Sequence, residues 1–164
     1  MRKIVYGLIA LGVSAGLSFG QDIENIGPQK ALELTKAPGT YLVDVRSVAE
    51  YVFVGHAAKA YNIPLSFWSE PEQKLVANDD FLQDLRSRFK AADVLVFMCR
   101  SGGRSLRAAQ AAREAGYKNV INVKEGFEGK KDEKGLYSIG GWKSAGLPYT
   151  YDVDPDFAYK PAKK

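Results

Sequence analysis

Five consecutive apolar residues, Val94, Leu95, Val96, Phe97 and Met98, run directly into Cys99-Arg100-Ser101-Gly102-Gly103-Arg104-Ser105 and then into an alanine-rich stretch. An unbroken apolar run of this length suits a strand covered on both faces, so it predicts the interior of a parallel sheet. Parallel neighbours need a crossover connection, and residues 105–115, stopped by Gly116, supply it as a helix. Residues 120–123 then read as the next strand.

The rest of the chain follows the same alternation. Residues 21–27 read as an exposed lead-in, and Pro28 opens a helix through Ala31, Leu32 and Leu34 that ends at Ala37-Pro38-Gly39. Residues 41–45 form a short strand, Ser47 caps a short helix through Glu50 and Tyr51, and residues 61–64 are extended. Residues 67–78 read as a polar connection. Phe81, Leu82, Leu85 and Phe89 then recur at helical spacing behind Asp79-Asp80. Residues 126–140, rich in glycine and charge, read as a surface excursion, and residues 141–145 as a last short helix with Trp142 inward. The tail from 148 to 164 has no period. The expectation is an α/β domain with a mainly parallel sheet over residues 21–150, followed by a tail over 151–164.

At 164 residues, 26% charged and 46% hydrophobic, the chain suits one core and argues against disorder or a polytopic membrane protein. Arg2 and Lys3 precede an uncharged apolar run from Ile4 to Phe19, with Ser18 and Gly20 as small residues at a cleavage point. This is the layout of a secretory signal peptide over residues 1–20, with a periplasmic or secreted mature domain. An uncleaved N-terminal anchor facing the same compartment is the alternative. No other stretch predicts a membrane span. Loss of Arg2 and Lys3 lowers the formal charge from +4 to +2, too little for a nucleic-acid footprint.

One cysteine and one histidine exclude an intrachain disulfide, a CxxC pair and a thiolate or imidazole metal set, and no cofactor is expected. Cys99 therefore enters an oxidising compartment unpaired. Two glycines after it let the backbone curl, and a curled loop entering a helix gathers N–H groups at one spot. The helix N-terminus adds about half a positive charge, so the cradle favours an anion: the Cys99 thiolate, or an oxyanion above it. Arg100 and Arg104 strengthen the field, and a guanidinium grips a sulfonate or phosphate through paired hydrogen bonds. A lone cysteine after an apolar strand also serves as a small buried hydrophobe. The Gly-Gly curl and two arginines are costly at an inert site and favour a reactive one.

The loop resembles that of the rhodanese-like sulfurtransferases, whose single-domain members carry Cys-x-x-Gly-x-Arg-Ser or close variants. Asp44-Val45-Arg46, Glu50-Tyr51, Gly55-His56 and Asn62-Ile63-Pro64-Leu65 are similar to the family's first block, and Gly141-Trp142 with Ala145-Gly146-Leu147-Pro148 to its last. An extra residue between Tyr51 and Gly55, Ala57-Ala58-Lys59 in place of isoleucine, proline and glycine, and the Lys130-Lys131-Asp132-Glu133-Lys134 stretch depart from the pattern.

The resemblance implies an α/β fold with a five-stranded, mainly parallel sheet, helices on both faces and the cysteine loop at the sheet's carboxyl edge. It also implies two-step sulfur transfer. The Cys99 thiolate takes the outer sulfur of a small sulfur-containing anion such as thiosulfate, and a thiophilic acceptor, cyanide or a small or protein thiol, removes it. Arg100, Ser101, Gly102, Gly103, Arg104 and Ser105 would bind substrate, with Arg104 anchoring the cradle and Arg100 orienting the donor. Asp44, Arg46, Glu50 and His56 match family positions, but their residue types fit structural support better: ion pairs that fix the loop, and a hydrogen-bonded turn histidine. Phe67 and Trp68 are candidate pocket walls. Two rivals remain. One is a cysteine-dependent phosphatase or arsenate reductase, disfavoured by a loop one residue short between Cys99 and Arg104. The other is a non-catalytic sulfur-carrier or partner-binding module.

Overall fold

The computed structural model describes residues 22–163, so the expected signal peptide lies outside the described residues. Glu24–Ile26 (β1) is a strand and not the exposed lead-in that its polar residues suggest; it pairs parallel with Asn119–Val123, and Ile26 is its one buried side chain. Pro28 occupies the first turn of α1 (Pro28–Leu34), where its missing N–H costs nothing. Thr40–Asp44 (β2) leads to Ser47, which forms a capping box with Glu50 at the start of α2 (Val48–Phe53). Three short strands follow, β3 (His56–Ala57), β4 (Tyr61–Asn62) and β5 (Ser66–Ser69).

The stretch 67–78, expected as a polar connection, is a hairpin. β5 pairs antiparallel with β6 (Lys74–Ala77), and the turn carries Gln73 at φ +50°. Next come α3 (Phe81–Arg88), β7 (Val94–Met98), α4 (Gly103–Glu114) and β8 (Asn119–Val123). The excursion folds as a small hairpin of β9 (Lys130–Lys131) and β10 (Tyr137–Ile139). The short helix expected at 141–145 is instead a series of turns with Gly141 at φ +86°, although Trp142 is buried as expected. Tyr149–Thr150 (β11) pairs with β3.

The main sheet has the order β1-β8-β7-β2-β4, and all four pairings are parallel. β7 is central, and its side chains alternate between two cores. Leu95, Phe97 and Cys99 face the core made with α3 and α4, whereas Val96 and Met98 join α1, Phe127 and Trp142 on the other side. Ala108, Ala109 and Ala112 are fully buried, so small side chains let α4 approach the sheet closely. The tail packs on the domain. The Phe157 carbonyl accepts from Asn62 N–H at 2.8 Å, and Asp84 accepts from the Tyr159 hydroxyl and the Ala162 N–H. Burial and the Asp84 carboxylate push the Tyr159 phenol up to about 12.

Candidate active site

The chain leaves β7 at its carboxyl end and turns into α4 at Gly102, the N-cap residue, whose φ of +98° lies in the left-handed region. A Cβ there would stand 2.2 Å from the Lys124 carbonyl oxygen, so position 102 requires glycine for two separate reasons. The neighbouring segment presses equally closely. A Cβ on Gly126 would meet the Cys99 carbonyl at 2.4 Å. That carbonyl accepts from Phe127 N–H at 2.7 Å, while the Arg100 carbonyl accepts from Glu128 and Gly129 N–H. The outer carbonyls of the loop are thus bound, which turns its amides the other way.

Cys99 is 1% exposed. Its Sγ accepts from the Gly102 N–H at 3.2 Å and lies 3.3 Å from Ser105 Oγ. The Ser105 hydroxyl is also 3.1 Å from the Gly102 carbonyl, so its one proton can turn to the sulfur when the sulfur carries charge. Sequence reasoning placed Ser105 in the loop, and the structure puts its fully buried hydroxyl beside Sγ.

Arg104 does not point at a free anion. It grips Glu50 with two hydrogen bonds of 2.7 and 2.6 Å, tying α4 to α2. Burial opposes the Arg104 charge, but Glu50 and, more weakly, Cys99 outweigh it and raise its pKa. Burial likewise opposes ionisation of Glu50, yet Arg104 together with the Ser47 N–H and hydroxyl holds its carboxyl down to about 2. Beneath this pair Asp44 and Arg46 form a fully buried ion pair. Arg46 also donates to the Gly55 carbonyl and lies 4.3 Å over the Phe127 ring, which connects the pair to the segment holding the Cys99 carbonyl.

His56 is buried in β3, with Nδ1 3.0 Å from the Tyr51 carbonyl and its ring stacked on Tyr51 at 3.6 Å. It belongs to the scaffold and does not touch Sγ. Arg100 is exposed and stacks 4.7 Å from the Tyr137 ring centre. The excursion therefore reaches back to the loop, a contact that nothing local in the sequence signals. Ser101 and Gly103 complete the loop, both exposed. Phe67 packs against the Tyr159 ring and Trp68 bonds Glu70, whereas Ser66, Leu75 and Ala77 of that hairpin line the groove next to Arg104. Strand alternation sends Phe67 to the face opposite Ser66. Among the described residues no cluster of three potential ligands could hold a metal ion.

Comparisons with known proteins agree with this geometry. The rhodanese-like domain pattern matches residues 27–133. An uncharacterised protein of Rickettsia conorii is 33% identical over 79% of this chain and 98% of its own length. A chloroplastic thiosulfate sulfurtransferase of Arabidopsis thaliana is 36% identical over 72% of this chain and 85% of its own. A crystal structure of a protein from M. tuberculosis is 35% identical, with a TM-score of 0.70 over 80% of this chain and all of that one. At 20% identity and TM-score 0.54, the polysulfide-sulfur transferase of Wolinella succinogenes shares the fold over 79% of each chain. The five-stranded parallel sheet, the cysteine loop at its carboxyl edge and these matches have one conclusion: the chain belongs to the rhodanese-like domain family.

Proposed function

We propose that the protein is a sulfurtransferase that carries sulfane sulfur on Cys99, taking it from thiosulfate or a related persulfide or polysulfide donor. The observation that carries this reading is the position of Sγ, held by the Gly102 N–H and beside the Ser105 hydroxyl at the start of α4. Donors fixed in place stabilise negative charge on sulfur without reorganising during the reaction. The Cys99 thiolate attacks the outer sulfur of thiosulfate. The new S–S bond forms as the donor's S–S bond breaks, and sulfite departs with the electron pair. The persulfide's outer sulfur then stands about 2 Å beyond Sγ. Cyanide attacks it, leaving as thiocyanate and restoring the thiolate.

Every charge in this cycle is negative, which suits a site framed by Arg100, Arg104 and the amino end of α4. With Cys99 only 1% exposed, the site suits a reactant that presents a single atom end-on, as the terminal sulfur of thiosulfate does. Purified protein is expected to convert thiosulfate and cyanide to thiocyanate, and Cys99→Ser to abolish this. Undiminished turnover in the serine variant refutes the assignment. The basic-then-apolar start of the chain supports a mature domain outside the cytoplasm, where fractionation of cells expressing the full chain would find it.

A further inference from the structure

Lys59 adopts a backbone conformation that lysine rarely takes. The Ala60 N–H donates to the Ala57 carbonyl at 3.1 Å and closes a tight turn between β3 and β4, in which Lys59 stands third at φ +62°. A single positive φ at that place in a turn favours glycine, and glycine is what the family pattern carries there. Strained residues of this kind cluster at binding and switch positions, so the Lys59 side chain is a candidate for such a role.

Lys59 lines a cleft of about 560 Å³ at the β4 edge of the main sheet. Tyr41, Tyr61 and Phe157 give the cleft an aromatic wall. Tyr61 meets Tyr41 edge-on at 5.8 Å and Phe157 at 4.8 Å, and all three residues are half-buried, so apolar surface is left for a ligand. The wall is set before anything binds. Arg88 donates to the Asp156 carbonyl at 2.9 Å and to the Ala158 carbonyl at 3.0 Å, on either side of Phe157, whose own carbonyl accepts from the Asn62 N–H.

Charge decides the sign of the ligand. Lys36 and Lys59 line the cleft, and no described carboxylate does. Lys36 is paired with Glu33 at 2.7 Å, which cancels its charge, whereas the Lys59 ammonium has no acidic partner among the described residues. One uncompensated positive charge therefore stands beside aromatic surface. The place is remote from the sulfur. Thr40, which also lines the cleft, is opposite Val94, and Asp44 is opposite Met98, so the cleft lies at the amino ends of these strands. Cys99 follows the carboxyl end, roughly 16 Å further along β7.

We propose that this cleft is a binding site, separate from the cysteine loop, for a small aromatic carboxylate. The ligand's ring packs against Tyr41, Tyr61 and Phe157, and its carboxylate takes a charge-assisted hydrogen bond from Lys59. A single negative charge matches the single free cation, and the volume is within the range of small-molecule sites. The site owes nothing to sulfur chemistry and stands whether or not Cys99 carries a persulfide.

The probe is 2-naphthoate, titrated into the purified protein by calorimetry beside 2-naphthalenemethanol, which lacks the charge, and decahydronaphthoate, which lacks the aromatic ring. Naphthoate is expected to bind about tenfold more tightly than the alcohol and several-fold more tightly than its saturated analogue. Lys59→Gln keeps the turn but removes the charge, and should lower naphthoate to the affinity of the alcohol, while Lys59→Arg should retain most of the preference. In isotope-labelled protein, naphthoate should move the amide signals of Thr40, Lys59, Tyr61 and Phe157 and leave those of Gly102 to Ser105 in place. An absence of saturable binding, equal affinity for acid and alcohol, or equal affinity for the aromatic and saturated acids would overturn the proposal. So would a carboxylate preference that survives Lys59→Gln, or shifts centred on the cysteine loop.

Discussion

Gly102 and Gly103 are adjacent in sequence, and replacing each by alanine should have opposite consequences. At Gly102 the left-handed φ of +98° costs an L-residue about 1–2 kcal/mol. The new Cβ would also lie 2.2 Å from the Lys124 carbonyl oxygen and 2.7 Å from its carbon, both backbone atoms, where ordinary contacts begin at 3.4 Å. Relief requires the loop and the end of β8 to part by roughly an ångström, a strain of about 1–3 kcal/mol. Gly102→Ala should thus lose about 2–5 kcal/mol in all. The same displacement pulls the Gly102 N–H, now 3.2 Å from Sγ, out of bonding range. Loss of one such donor is expected to lower thiosulfate turnover by about 100-fold or more in the protein that remains folded.

Gly103 has ordinary helical φ, and a Cβ there meets nothing within 4 Å. Gly103→Ala should leave stability unchanged or raise it by up to about 1 kcal/mol. Urea unfolding and the thiosulfate–cyanide assay on both variants test the pair. A Gly102→Ala protein within about 0.5 kcal/mol of wild type and fully active would refute the account of the loop.

Two charge variants test the scaffold under the loop. Because Glu50 titrates at about 2 in the folded protein against an ordinary 4.5, its contribution to stability is complete above the ordinary value and is lost as pH falls toward 2. Acid titrations of stability should therefore be flatter for Glu50→Gln over that window, and identical slopes would contradict the Arg104 link. Asp44→Asn leaves the fully buried Arg46 guanidinium without its counter-charge, which should cost about 3–5 kcal/mol by urea unfolding. Pairing it with Arg46→Met should recover much of that loss. A single variant costing under about 1 kcal/mol would show that the pair is not the support described.

What the sequence reveals and conceals follows from how local each signal is. β7, its loop and α4 are legible because an unbroken apolar run, two glycines and clustered alanines act within twenty residues. Ser47 and Glu50 announce their capping box at the three-residue spacing it requires. By contrast, β1 has one buried side chain, Ile26, and three residues leave no period to read. The β5–β6 hairpin hides behind a polar turn at Pro71-Glu72-Gln73. At 141–145 helix-forming side chains mislead, because Gly141 packs against Gly129 with a backbone approach that forbids a Cβ. Arg104 was legible as part of the loop, but its partner stands 54 residues away, and the Asp84–Tyr159 link spans 75. Such pairings depend on the finished fold, and no short window contains both members.

The intact mass of the protein after thiosulfate treatment tests the central claim most directly. The account predicts a gain of one sulfur atom that cyanide removes and that Cys99→Ser never acquires. An unchanged mass under conditions where thiosulfate is in excess, or a sulfur gained equally by Cys99→Ser, would contradict it.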